Sequence, residues 1–130
     1  MIMSAIRAKG TDPEETLIST LRRSGIRSGR RHLKKLPGRP DLSFLDQRIA
    51  VFVNGCYWHR CPYCKKPLPK SHRSFWRKKF EANVERDKRK NRELRKLGWR
   101  PIVVWECRLK NDPEKQVARI KKMLDLPLTK

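Results

Sequence analysis

The sequence has no long apolar run, and this absence excludes two classes of protein. No segment approaches the roughly 18–20 apolar residues that span a bilayer, so we expect no membrane-spanning helix and no membrane partner. The first residues also have no extended apolar stretch of the kind found in secretory signal peptides. We therefore expect an intracellular protein, in a compartment where thiols stay reduced and favour metal binding over disulfides.

Acidic residues are scarce, with 13 Asp and Glu against 34 Lys and Arg. The net charge of +21 exceeds the magnitude of about 2–8 that solubility alone requires. Such an excess predicts a polyanion as partner, and it fits ribosomal proteins, DNA-binding proteins and nucleases equally well. The chain of 130 residues has no internal repeat and no linker. One mixed α/β domain over residues 1–130 is therefore the simplest architecture.

Turn residues and hydrophobic periodicity predict the order helix, hairpin, loop, helix, strand, helix. The predicted elements are a helix between residues 11 and 25, a strand or loop over 26–40, hairpin strands over 42–45 and 48–53, a Cys-rich loop over 54–72, a long helix ending near 97, a strand over 99–106, and a helix over 113–124. Ser71 or Ser74 is the expected N-cap of the long helix. Gly98 is expected to end it.

Four cysteines form a candidate metal site. Cys61 and Cys64 are separated by two residues, as in a zinc knuckle, and Cys56 lies just upstream. Cys107 follows the third predicted strand, so it lies beside Cys56 if the second and third strands are parallel neighbours. Four thiolates then form a closed, structural zinc site, in which His59 or His72 could replace one thiol. The alternative is a free buried cysteine at one or two positions.

Polar residues at two places indicate nuclease chemistry. Asp41 directly precedes the hairpin, where many nucleases hold Mg²⁺ with a carboxylate; the alternative is an exposed turn residue. In the long helix, Asn83 and Asp87 interrupt an apolar stripe. They either bond to neighbouring backbone, or Asp87 orients and charges an imidazole such as that of His59.

Aromatic residues surround His59, which by itself is as consistent with a structural or metal-binding role as with a general base. Tyr57, Trp58 and Trp76 fit an ordinary core. On a protein of this charge, such rings also fit stacking on bases or wedging between them.

Five segments in order and with nearly unchanged spacing resemble one family. They are Pro37-Gly38-Arg39-Pro40-Asp41, Gly55-Cys56-Tyr57-Trp58-His59, Phe75-Trp76, Asn83-Val84-Glu85-Arg86-Asp87, and the run from Gly98-Trp99-Arg100 to Val104-Trp105-Glu106-Cys107. Together they are similar to the very-short-patch-repair (Vsr-type) DNA mismatch endonucleases, over residues 3–109. The resemblance implies a restriction-endonuclease-like α/β fold, a mixed β-sheet flanked by helices, with a structural zinc.

The resemblance also implies an activity and a setting. Vsr-type enzymes make a Mg²⁺-dependent nick in one DNA strand, 5′ to the thymine of a T:G mismatch. The implied partner is therefore double-stranded, mismatched DNA. The implied protein is a monomer in the cytoplasm of a bacterial-type cell, associated with the nucleoid.

The resemblance assigns roles by position. The catalytic set it implies is Asp41 as a Mg²⁺ ligand, Val53 as a second ligand through its backbone carbonyl, His59 as the catalytic histidine, Asp87 as its partner, and Glu14 as a nearby acid. Asn54 stands where relatives have His or Asp, and an amide cannot act as a base near neutral pH.

The zinc and DNA contacts are implied in the same way. The zinc ligands are Cys56, Cys61, Cys64 and Cys107, where Cys61 replaces the histidine of the usual family pattern. The DNA-contacting residues are Met3, Tyr57, Trp58, Trp76, Lys79 and Asn83. The alternatives are a related nicking nuclease with another DNA target, a non-catalytic zinc-containing DNA-binding module, and an RNA-binding or ribosomal basic protein.

Overall fold

The computed structural model describes residues 13–126, and every structural statement below refers to them. The predicted DNA contact at Met3 lies outside the described residues. The elements are α1 (Pro13–Arg23), β1 (Arg30–Arg31), β2 (Leu42–Phe44), β3 (Ile49–Asn54), α2 (Arg73–Lys96), β4 (Arg100–Trp105), α3 (Glu106–Asn111) and α4 (Pro113–Asp125). The short strand β1 and the short helix α3 are the elements that the sequence did not separate from their neighbours.

The four strands form one mixed sheet in the order β1-β2-β3-β4. The hairpin prediction is confirmed, because β2 and β3 pair antiparallel with Leu42 opposite Val51. The strands β3 and β4 pair in parallel, with Asn54 opposite Trp105. This is the arrangement that a shared site for Cys56 and Cys107 requires, since parallel strands end at the same edge of a sheet.

The sheet lies between two layers of helices. Successive side chains of a strand point to opposite faces, so Val51 and Val104 join the buried core with α1, α3 and α4. On the other face, Phe52 and Val103 line a cavity together with residues of α2. The predicted mixed α/β class, with helices flanking the sheet, is therefore confirmed.

The long helix α2 starts differently from the prediction. Its N-cap is His72, in the left-handed conformation and without a side-chain hydrogen bond to the helix, so the assignment of Ser71 or Ser74 as the cap was wrong. The backbone turns into the helix through the positive φ of His72 instead of a serine cap. The predicted end is confirmed, because Gly98 follows the last turn at a φ of 88°, a value that glycine adopts without strain.

The helices within residues 13–126 include none that is both long enough and apolar enough to cross a bilayer.

Burial of Leu94 holds α2 against the sheet, and its loss should destabilise the fold. Leu94 is fully buried, whereas Leu97, the C-cap residue of α2, is 57% exposed. We expect Leu94→Ala to lower the free energy of unfolding by about 2–5 kcal/mol, as measured by urea denaturation. Leu97→Ala, the matched control, should change it by less than about 0.5 kcal/mol. Equal effects of the two substitutions would contradict this packing.

Candidate functional site

The ends of β3 and β4 bring four thiols together. Cys56 follows β3 by one residue, and Cys107 lies in the first turn of α3, directly after β4. With Cys61 and Cys64 of the intervening loop, their sulfurs all lie within 4.8 Å of one another. The Cys61 and Cys107 Sγ atoms are 3.7 Å apart. A tetrahedron of sulfurs at about 2.3 Å from a central ion has edges of about 3.8 Å, so this group could hold a metal ion.

Hydrogen bonds and burial act differently on these thiols. Burial raises the pKa of Cys56 and of Cys107, which favours the neutral thiol. Burial opposes ionisation of Cys61 as well, but the backbone N–H groups of Cys64 and Tyr63 outweigh it and lower the pKa of Cys61. The Tyr63 amide donates to the Cys61 sulfur at 3.3 Å. A bound cation would supply the positive charge that all four thiolates need.

His59 lies outside the thiol cluster and pairs with Asp87. The Nδ1 atom of His59 is 2.7 Å from Oδ2 of Asp87, across the cleft between the Cys-rich loop and α2. Both side chains are about one-third exposed, so solvent and substrate can reach the imidazole. The thiol group that could hold a metal does not include His59.

Asp41 is held at the end of the sheet by the backbone of β3. Its Oδ2 accepts from the Val53 N–H at 2.7 Å, and its own N–H donates to the Val51 carbonyl at 2.9 Å. In an extended strand, the N–H and C=O of one residue point in the same direction. The Val53 carbonyl therefore points from β3 in the same direction as the Val53 N–H, toward Asp41.

A second histidine, His32, lies beside the carboxylates near this point, and it was not predicted as a site residue. The ligand atoms of Glu14, His32 and Asp41 all lie within 4.8 Å of one another. The His32 Nε2 is 2.8 Å from Glu14 Oε2. Arg31 also binds Glu14, at 2.8 Å, and its hydrogen bonds to Glu14 and Glu15 raise the pKa of Arg31. A basic stretch with one histidine carries no local pattern that singles out His32.

A cavity of about 330 Å³ lies at this end of the sheet, and Glu14 and His32 are not among the residues that line it. Its walls include the catalytic candidates Asp41, Val53, Asn54, His59 and Asp87. Asn54 is buried, with 8% of its surface exposed. The basic residues Arg39, Arg86 and Lys90 also line the cavity. The result is a polar cleft with carboxylates, an imidazole and cations, which suits a phosphate group.

The aromatic residues form a connected group beside this cleft. The Phe80 ring is buried and contacts Tyr57, Trp58 and Trp76. Tyr57 and Trp76 are half-buried, which fits a packing role in part. Trp58 is 51% exposed, and Phe75 is 60% exposed next to Trp76. The sequence did not single out Phe75 as a site residue, although it preceded Trp76 in a motif.

Asn83 and Lys79 lie on α2 near the exposed rings. The Asn83 amide donates to the Trp58 carbonyl at 3.4 Å and accepts from Arg86 at 2.6 Å. Of the roles considered for Asn83, a hydrogen bond to backbone is therefore seen, and its partner lies in the Cys-rich loop. Lys79 is exposed one turn before Asn83, and residues four apart share a helix face.

Comparison with known proteins gives a consistent set of relatives. A family model described as "DNA mismatch endonuclease Vsr" matches residues 1–66. The type II nicking enzyme V.XorIIP of Xanthomonas oryzae pv. oryzae is 43% identical over 124 residues, which cover 95% of this chain and 90% of that protein. V.NmeAIP of Neisseria meningitidis, also a type II nicking enzyme, is 39% identical over 85% of this chain and 78% of its own length. The DNA mismatch endonuclease Vsr of Escherichia coli is 39% identical over 83% of this chain and 69% of its own length.

The thiol cluster predicts a bound metal that stabilises the protein. We expect the purified protein to carry about one tightly bound ion per four thiolates, measured by inductively coupled plasma mass spectrometry. Cys64→Ser should lose the ion and therefore lower the melting temperature. Because Cys64 is exposed, its replacement leaves no core cavity, and the lower melting temperature can be assigned to the lost ion. Lys66→Ser, in the same loop, is the control and should keep the ion. Metal content unchanged in Cys64→Ser would rule out this ligand set.

Proposed function

We propose that this protein nicks one strand of duplex DNA at or near a T:G mismatch. The proposal starts from the fact that the chain belongs to the Vsr family of DNA mismatch endonucleases and is therefore a DNA endonuclease. The observation that carries the proposal is the cleft in which Asp41, Val53, Asn54 and the His59–Asp87 pair meet. A net charge of +21 supports binding to the DNA backbone. The sheet with helices on two faces supports a restriction-endonuclease-like fold.

The residues around Asp41 fit Mg²⁺. This ion prefers oxygen ligands and uses one or two carboxylates, with waters and substrate phosphate completing its shell. The Asp41 carboxylate and the Val53 carbonyl would hold it, with Glu14 beside them. When bound, Mg²⁺ supplies Lewis-acid chemistry, which polarises a phosphate and stabilises charge on the leaving oxygen.

The His59–Asp87 pair supports general-base catalysis. A carboxylate at Nδ1 favours the tautomer that carries its proton there, which leaves Nε2 free to accept a proton from water. Asp87 also stabilises the imidazolium that forms. Asn54 then positions water or phosphate through its amide and takes no proton.

The zinc and the aromatic residues complete the proposal. Zn²⁺ on Cys56, Cys61, Cys64 and Cys107 would hold the loop rigid. That loop presents Trp58 for insertion beside the mismatch, with Tyr57, Trp76, Lys79 and Asn83 as neighbouring DNA contacts. The proposed enzyme acts as a cytoplasmic monomer on chromosomal DNA. Met3 remains a predicted contact from the other groove.

A second candidate function is nicking at a different DNA target. Two of the relatives, V.XorIIP and V.NmeAIP, are named type II nicking enzymes. A non-catalytic DNA-binding module is less well supported, because such a module has no use for an imidazole–carboxylate pair beside Asp41.

A nicking assay on labelled duplexes tests the proposal. We expect strand cleavage on a T:G duplex, and little on the matched duplex or on a branched one. EDTA should abolish cleavage, and adding back Mg²⁺ alone should restore it, which controls for any zinc that EDTA removes. Equal cleavage of the matched and mismatched duplexes would reject mismatch specificity and favour the second candidate.

Asp41→Asn should remove nicking. Loss of the metal carboxylate costs several kcal/mol of transition-state stabilisation, which corresponds to about 10³-fold in rate, while binding to the duplex should remain. Asp46→Asn removes an equal charge from the exposed hairpin turn and should nick normally. Mg²⁺-dependent nicking retained in Asp41→Asn would defeat the metal assignment.

His59→Ala tests the general base. The expected loss in single-turnover nicking rate is about 10²–10⁴-fold. His72→Ala, at the start of α2 and exposed, is the matched histidine control and should nick at a near-normal rate. A near-normal rate in His59→Ala would give His59 a structural role only.

A further inference from the structure

A basic groove runs along the outer edge of β4, between α2 and α4. We call it the basic edge groove. It has a volume of about 720 Å³, and its cationic residues are Arg95, Arg108, Lys115, Arg119 and Lys122. None of the catalytic, zinc-binding or aromatic residues proposed above lines this groove, although some of their neighbours in sequence do. It therefore calls for a separate explanation.

The cations of the basic edge groove are not neutralised by acidic side chains. Within residues 13–126, none of the five takes part in a salt bridge. Arg119 donates to the Val103 carbonyl at 3.3 Å and to Gln116 Oε1 at 2.6 Å, and both of these partners are neutral. Like charges around a concave surface repel one another and attract polyanions. The missing counter-charge is thus expected from a ligand.

A peptide that pairs with β4 fits this groove poorly. The Arg100 N–H donates to the carbonyl of Arg48, directly before β3, so residues 101, 103 and 105 present their backbone groups outward. Pro101 has no N–H to donate. The outward carbonyl of Val103 is already bonded to Arg119. An added strand would therefore lack a continuous ladder of hydrogen bonds.

Aromatic rings accompany the cations. Tyr63 is 58% exposed, and the guanidinium of Arg108 lies 4.0 Å from the centre of its ring. Trp105 also lines the groove and is half-buried. A positively charged groove with stacking surfaces is the combination that binds single-stranded nucleic acid without sequence preference.

The basic edge groove is continuous with the catalytic cavity. Asn91 and Val103 line both, so a strand that leaves the cavity meets the groove directly. We propose that the basic edge groove binds single-stranded DNA and takes up the end of a nicked strand when that end unpairs from its complement. That the strand comes from a nick rests on the proposed function, whereas the binding of single-stranded DNA by the groove does not.

Fluorescence anisotropy tests the groove. The probe is a labelled oligothymidylate of about 16 nucleotides, the upper end of common site sizes. The test variant is Lys115→Gln with Lys122→Gln. The control, Lys110→Gln with Lys121→Gln, removes the same charge from exposed positions of the same two-helix region outside the groove. Each lost phosphate contact should lower the slope of log K against log salt by about 0.7.

The expected result is a slope lower by about 1.4 in the test variant, from two contacts of about 0.7 each, and a nearly unchanged slope in the control. Equal losses of salt slope in the two variants would overturn the proposal. It would also be overturned if oligoglutamate, at equal charge, competed with the probe as effectively as unlabelled oligothymidylate does. The first result would indicate a diffuse charge effect, and the second an acidic peptide site.

The nicking assay on the T:G duplex separates this proposal from the proposed function. The test variant should keep the rate of the first cut, because both lysines lie outside the catalytic cavity. If the unmodified protein nicks no duplex but the slope difference persists, the groove is upheld and the proposed function fails. If nicking is normal and the slope difference is absent, the groove proposal alone fails.

Discussion

Parallel pairing between β3 and β4 puts the carboxyl ends of both strands at one edge of the sheet, and the functional groups depend on it. Cys56 and Cys107 are 51 residues apart in sequence, yet the Cys107 N–H donates to the Cys56 sulfur at 3.3 Å. The antiparallel pairing of β2 with β3 brings Asp41, directly before β2, to the same edge, where the Val53 amide holds it. A slip of one residue would turn these side chains to the opposite face of the sheet.

The long helix adds the second half of the cleft. Phe80 and Leu94 are buried, and this fixes the rotation of α2 about its axis. Asp87 then faces the loop that carries His59, at 2.7 Å. The thiol cluster ties that loop to both strand ends, so the imidazole, its carboxylate partner and the exposed Trp58 ring are supported by one rigid base. The thiol cluster and the proposed catalytic pair of His59 and Asp87 are thus adjacent but chemically separate.

The surface divides in a corresponding way. The cleft holds the carboxylates of Asp41 and Asp87, and its cation Lys90 lies 3.7 Å from Glu93. The cations of the basic edge groove have no such acidic partners among the described residues. The positive charge of the chain is therefore found on two adjoining surfaces that differ in their local chemistry, the cleft proposed to bind the reacting phosphate and the groove proposed to bind a single strand.

Local sequence was sufficient for most of the helices and strands, because apolar periodicity, Asp112 as the cap of α4 and the terminator Gly98 act over a few residues. It also named the four cysteines and the Asp87 candidate, since their residue types are rare in such positions. The N-cap of α2 at His72, the approach of His32 to Glu14, and the groove beside β4 came only from the tertiary structure. The last two depend on strand pairing or helix packing between distant segments, and no local pattern records which segments will meet.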